Sequence, residues 1–343
     1  MKSSLTIIAS SWVLVLVLVA LSVLPTGSQA ASPAVQAPVA GRGNSIGATG
    51  WSSGWVPLTP NNPVTLQHAL GGDLLQYAVQ MWFKDTDGGF GINTRAYGGL
   101  EVNGVYYGAF WENLTESGIE VTRSSGDNLA DEVRVWIWIP DDPPEYCSPW
   151  TDVPSGGSQV ITHNLGGNVD DYVVGLWFQS PNVAYGINQH AYGGMEAVGA
   201  NWGAWWNKLT DSTVQVQRAA QDPYANSVRV CISLADPTAY DSGWVDVAQG
   251  ETLTLDHDVG GDLDRYVVRM EFKDAAPGGS GIHHENAGGN AIGSTYVGTN
   301  WENLTTSTID VFRRPQDETT DKVRVRIWLR QTQVYLPLIL RSQ

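Results

Sequence analysis

Residues 118–123 and 133–139 read GIEVTR and VRVWIWI, two runs of period two separated by a polar loop. In the second run Val133, Val135, Ile137 and Ile139 fall on one face of an extended chain and Arg134, Trp136 and Trp138 on the other, because successive strand side chains point to opposite sides. One face is written for an apolar core. The other carries too many large rings for open solvent and predicts contact with a second surface. The hairpin recurs as TVQVQR with VRVCISL and as TIDVFR with VRVRIWL.

Working outward, other landmarks repeat in step. His68, His163 and His257 are 95 and 94 residues apart, and Trp111, Trp206 and Trp301 are 95 and 95 apart. Arg134, Arg229 and Arg324 keep the same spacing. A unit this long is a whole domain, since solenoid repeats run to roughly 20–50 residues. Each copy has a Gly-Trp-type opening strand, a strand ending in His before a Gly-Gly turn (71–72, 166–167, 260–261), and an alternating run such as YAVQMWF at 77–83. Helical periodicity is absent. Short strands between turn signals predict an all-β chain of three tandem antiparallel β-sandwich domains at 51–140, 145–236 and 240–330.

The flanks have other compositions. Lys2, an apolar run from Trp12 to Leu24 and the small-residue ending Ser28-Gln29-Ala30 read as a secretory signal peptide over 1–30, with an uncleaved anchor as the rival. Residues 31–50 are Ala, Pro, Gly and Ser, a flexible linker. Residues 331–343, QTQVYLPLILRSQ, form an apolar tail too short to span a membrane. These features predict a secreted, extracellular protein with no membrane insertion after cleavage. Net charge is −16, or −17 once residues 1–30, with one Lys and no acid, are removed. Such a surface repels phosphate backbones and excludes nucleic acid as a partner. The only cysteines, Cys147 and Cys231, both fall in the second copy, one just ahead of its first strand and one within its last, and an exported chain predicts a disulfide between them.

Differences between copies point to candidate ligand residues. The glycine-rich middle reads GINTRAYGG at 91–99, GINQHAYGG at 186–194 and GIHHENAGG at 281–289. A following aromatic phrase reads YYGAFWENLT at 106–115 and NWGAWWNKLT at 201–210. Trp111, Trp206 and Trp301 persist and are assigned to packing. Rings and polar groups that drift are Asn93, Arg95, Tyr97, Tyr107 and Phe110 in copy one, and Asn188, His190, Tyr192, Trp202 and Trp205 in copy two. Sugars need rings to stack on beside hydrogen-bonding side chains, but rings also glue one domain to another, and both uses stay open. Arg123, Arg218 and Arg313, each four residues before an Asp, are expected to form surface bridges that stiffen a hairpin turn. The three histidines are expected to bond backbone carbonyls. Asp85-Thr-Asp-Gly-Gly looks like half a calcium loop, yet copy two has Ser180 and Asn182 there, so no metal or other cofactor is expected.

Gly54-Trp55, Gly243-Trp244, Leu114-Thr-Glu-Ser-Gly-Ile119 and Trp138 or Trp328 resemble pieces of the H-type lectin domain of snail agglutinins and discoidins. The Gly-Gly turn and the middle at 88–108 have no clear counterpart there. The resemblance implies six-stranded sandwiches, trimers, and galactose-type sugars bound in clefts between neighbours; here it implies a covalent pseudo-trimer whose repeats pack on one another. The expected function is a secreted multivalent carbohydrate-binding protein using the aromatic loops of copies one and two, with an extracellular adhesion or structural module as the alternative. Catalysis is not expected. Glu112 and Glu302 become Asn207 in copy two, so no pair of carboxylates recurs at glycosidase spacing, and no nucleophile motif is present.

Overall fold

The structure, a computed structural model, describes residues 49–330 except 99, 103–104, 182–184, 198–199, 236, 289 and 293–294; in the hairpins at 99–107, 195–201 and 289–296 it describes backbone only. The expected signal peptide, most of the linker and the C-terminal tail lie outside the described residues. No helix among them is long and apolar enough to cross a membrane.

Copy one contains ten strands: β1 Thr49–Ser52, β2 Val56–Pro57, β3 Val64–Gln67, β4 Ala78–Lys84, β5 Ile92–Asn93, β6 Leu100–Val102, β7 Val105–Tyr107, β8 Ala109–Glu112, β9 Gly118–Arg123 and β10 Glu132–Ile139. They make one sheet in the order β1-β10-β4-β5, with β2 also on β10, a second in the order β3-β9-β8, and the small hairpin β6-β7. Copies two and three repeat this topology, so the chain is all-β, in antiparallel sandwiches. β1 begins inside the stretch read as linker. In its sequence TGWS, Gly50 and Ser52 dilute the strand preference of Thr49 and Trp51, and pairing with β10 (Trp51 opposite Ile137) supplies the rest.

The alternation in β10 sorts as the pattern dictates. Val133, Val135 and Ile137 are fully buried between the two sheets with Phe83, Trp111, Ile119 and Val121. Each such side chain contributes about 1.5–3 kcal/mol when removed from water. The Gly-Gly turn is pinned from within its own copy: the Tyr77 hydroxyl donates to the Gly71 carbonyl at 2.6 Å, and Tyr266 to Gly260 at 2.7 Å. His68, His163 and His257 pack against the rings of Tyr77, Tyr172 and Tyr266. His163 and His257 accept backbone N–H groups of Leu165 and Val259 at Nδ1. Burial lowers all three histidine pKa values, opposed by hydrogen bonds to the backbone of Thr115 and Gly118, Thr213 and Thr210, and Thr308 and Thr305, the kind of partner expected of these rings.

The Arg–Asp pairs are not on the surface. Arg123, Arg218 and Arg313 are buried with Asp127, Asp222 and Asp317. Each guanidinium also donates to a carbonyl of the opening segment: Leu58, Val153 or Val247. The pair therefore ties the hairpin loop to the strand entering the sandwich, a contact that sequence spacing alone does not reveal. The disulfide Cys147–Cys231 is formed, joining directly opposed residues of the strand Tyr146–Cys147 and the β10 counterpart Ser227–Leu234.

Backbone hydrogen bonds close the three copies into a ring. Thr94 N donates to Trp301 O, Gln189 N to Trp111 O, and His284 N to Trp206 O, each at 3.0–3.1 Å. Copy one thus bonds copy three, copy two bonds copy one, and copy three bonds copy two. Nearer the axis the cycle repeats, with Ala96 N to Gly288 O at 2.7 Å, Asn286 N to Gly193 O at 2.6 Å, and Ala191 N to Gly98 O. Here the paired glycines of the middle phrase earn their place: a Cβ on Gly98, Gly193 or Gly288 would lie 2.7–2.8 Å from a backbone nitrogen of the next copy, and all three have positive φ.

Candidate functional site

The drifting residues gather at the seams of this ring. Between copies three and one, Arg95 lies over the Phe90 ring and pairs with Glu302 at 3.1 Å. Between copies one and two, His190 is stacked 3.6 Å from both Phe110 and Tyr224, with Nδ1 3.6 Å from Glu112. Between copies two and three the equivalent residue is Glu285, held by Ser280 and beside the Trp205 indole. Arg95, His190 and Glu285 thus occupy one position; Glu302, Glu112 and Asn207 occupy the position that answers it. Where the first is acidic the second is neutral, so two carboxylates never meet across a seam.

Asn93 and Asn188 are fully buried, each accepting a backbone N–H two residues on, from Arg95 and His190. They shape the loop. Phe110, His190 and Tyr192 are buried, whereas Arg95, Trp202 and Trp205 are half-buried. The Tyr107 side chain lies outside the described residues. Trp111, Trp206 and Trp301, assigned to packing, are all buried. Burial raises the Glu112 pKa to about 7.

Tyr97 and Tyr192 meet at the axis with ring centroids 6.0 Å apart. The Tyr97 hydroxyl donates to Gln189 at 2.5 Å and accepts from the Trp111 indole at 3.0 Å. Burial pushes the Tyr192 hydroxyl up to about 12 and Tyr97 further. In copy three the ring is replaced by Ala287, and the missing volume is a cavity of about 90 Å³ lined by Tyr97, Tyr192, Ala287, Gln189, His284 and Arg269. Sequence drift singled this position out as a loop ring; in the structure it lies beside a cavity where the three copies meet.

A second cavity, about 110 Å³, lies in the seam between copies one and two. Arg229 and Arg269 face it, with Leu75, Pro140, Pro144 and Trp177 among its walls. Neither arginine stands among the residues singled out from the sequence. The signal was available: Arg134, Arg229 and Arg324 align, and comparison of what faces each would have separated the middle one.

Asp85, Asp87 and Asp131 cluster on copy one. Asp85 already accepts the N–H groups of Asp87, Gly88 and Phe90, and Asp131 accepts from Thr86. The Asp85 and Asp131 carboxylates staple their loop.

No protein-family model matches this chain, and a search of curated proteins finds no match.

Proposed function

We propose that this chain is a non-enzymatic, lectin-like binding protein, in which three covalently joined sandwiches stand in for a trimer and carbohydrate is met at the seams between neighbouring repeats. The observation that carries this reading is the ring, which places unlike aromatic and polar side chains side by side at each seam. Rings that stack on sugar C–H patches and polar groups that bond hydroxyls are what such a ligand requires. Among the described side chains of the expected set, Arg95, Tyr97, Trp202 and Trp205 are half-buried and the rest are buried. Three sites on one body would gain avidity on a polymer that spans them. Export, as the leader implies, would place this body outside the cell.

The adhesion or structural reading is favoured by a different observation: Arg95 already pairs with Glu302, and His190 is already stacked between two rings. In that case the seams serve assembly alone. A glycan array on the purified protein and on Trp202→Ala plus Trp205→Ala distinguishes them. Binding to galactose-type glycans that is lost in the variant at unchanged melting temperature supports the lectin-like reading; an array with no signal for either protein removes it and leaves the scaffold.

A further inference from the structure

The three aligned arginines Arg134, Arg229 and Arg324 project from the outer face of each copy toward the copy before it. Arg134 pairs with Asp264 of copy three and donates from Nε to Ser52. Arg324 pairs with Asp241 and donates to the carbonyl of Asp170 in copy two. Arg229 has no such partner: its Nε is buried with no hydrogen bond, and its guanidinium forms no ion pair among the described residues.

Two sequence changes account for this. The three-residue turn before β4 reads Leu74–Gln76 in copy one, Val169–Asp171 in copy two and Leu263–Arg265 in copy three. Its middle residue is Asp264 where it pairs with Arg134, Asp170 where Arg324 takes its backbone carbonyl and feels its charge, and Leu75 where Arg229 faces it. The opening-strand position that offers Ser52 in copy one and Asp241 in copy three is Cys147 in copy two, consumed by the disulfide. The facing carboxylate and the side-chain acceptor of the opening strand are both gone from this seam only.

That seam holds the 110 Å³ cavity. Arg269 enters it as well, and it too makes no hydrogen bond or ion pair among the described residues. At the same position copy two has Gly175, which leaves the room, and copy one has Gln80, which bonds the Val268 carbonyl. The described lining includes two arginines, the Tyr192 ring, Gln189 and Ser233, and no Asp or Glu, in a chain with 35 acidic residues. Asp73 is the nearest acid whose charge Arg229 feels, and it is exposed and caps its own turn. Two half-buried guanidiniums that form no ion pair among the described residues, with Asp73 and Glu271 acting on Arg229 and Arg269 only through longer-range charge, form an anion site, and a planar fork of N–H donors beside Leu75, Pro140, Pro144 and Trp177 matches a carboxylate on a small apolar body.

We propose that the seam between copies one and two binds one small carboxylate per chain, with Arg229 and Arg269 as its ligands, at a site the other two seams fill with Asp264 and Asp241. The inference is independent of the glycan reading. Isothermal titration of the purified protein with sodium propionate, and separately with sodium glucuronate, at fixed ionic strength tests it. The expected result is one site per chain, weakened by at least about tenfold in Arg229→Gln, as loss of a charge-assisted contact implies. Leu75→Asp restores the carboxylate that the other copies carry and is expected to abolish binding while the protein melts no lower than before. Binding of either acid with these properties supports the site, and the tighter of the two distinguishes a free small acid from an acidic sugar. No heat with either acid, three equivalent sites, equal binding of propionamide, or undiminished binding in both variants would overturn it.

Discussion

The sandwich cores and the seams between them were built from the same triplicated sequence, yet they have fared differently. Inside each sandwich the three histidines and the three Arg–Asp pairs recur without change, and Trp111, Trp206 and Trp301 recur too although each also reaches the next copy, at Gln189, His284 and Trp82. At the seams the same positions hold Arg, His and Glu on one side and Glu, Glu and Asn on the other. A core packs against its own copy, so every copy faces the same constraint. A seam faces a neighbour, and covalent linkage makes each neighbour distinct, so change on one side is tolerated when matched on the other. Drift between duplicates therefore marks interfaces here as readily as it marks ligand sites.

This contrast can be broken by substitution. Trp206→Ala removes a core ring that is 1% exposed and is expected to cost about 3–5 kcal/mol, read from the urea midpoint; the adjacent half-buried Trp205→Ala should cost far less. Equal losses would erase the distinction between the invariant ring and the drifting one. Replacing Cys147 and Cys231 by serine opens a closed loop of 84 residues and is expected to cost about 2–4 kcal/mol by the same measurement.

A smaller effect tests matching at a seam. Arg95→Met leaves Glu302 buried without its partner and should cost about 1–3 kcal/mol. The reversed pair, Arg95→Glu with Glu302→Arg, should recover part of the loss of either single change. Failure of the double variant to exceed both singles would mean that complementarity does not hold this seam.

The smallest expected effect is a pH slope. Glu112 titrates near 7 in the folded protein because burial disfavours its charge, against an ordinary value near 4.5. Between those values the folded state holds a proton that the unfolded state has released. Its stabilising contribution is thus complete below the unfolded value and disappears as pH rises toward 7. Denaturant titrations at pH 5 and pH 7 should show a drop that Glu112→Gln reduces; an unchanged drop places the titration elsewhere.

Much of the fold was legible because a period of two in strands such as 133–139 encodes both the strand and its buried face. The Arg/Trp face was likewise readable as a contact surface, and Trp136, Trp138, Arg326 and Trp328 are indeed buried. What sequence could not give was the identity of each partner. Arg123 and Asp127 look like a surface bridge because their spacing is local, while the deciding contact, the Leu58 carbonyl, is 65 residues away. Tyr97 and Tyr192 look like loop rings because glycines surround them; those glycines instead let three backbones converge on an axis. Arg229 was visible as an aligned residue, but its lack of a partner depends on Leu75, which belongs to a different copy.

The directional cycle of backbone bonds also bears on the connecting segments. Every repeat is gripped on two sides, so the peptide linking one repeat to the next is not what keeps them together once folded. A single proteolytic cut near residues 140–144 should leave both fragments, and so all three repeats, travelling as one particle through a sizing column. By contrast, a gene lacking any one repeat would leave two unmatched rims with no mate on the same polypeptide.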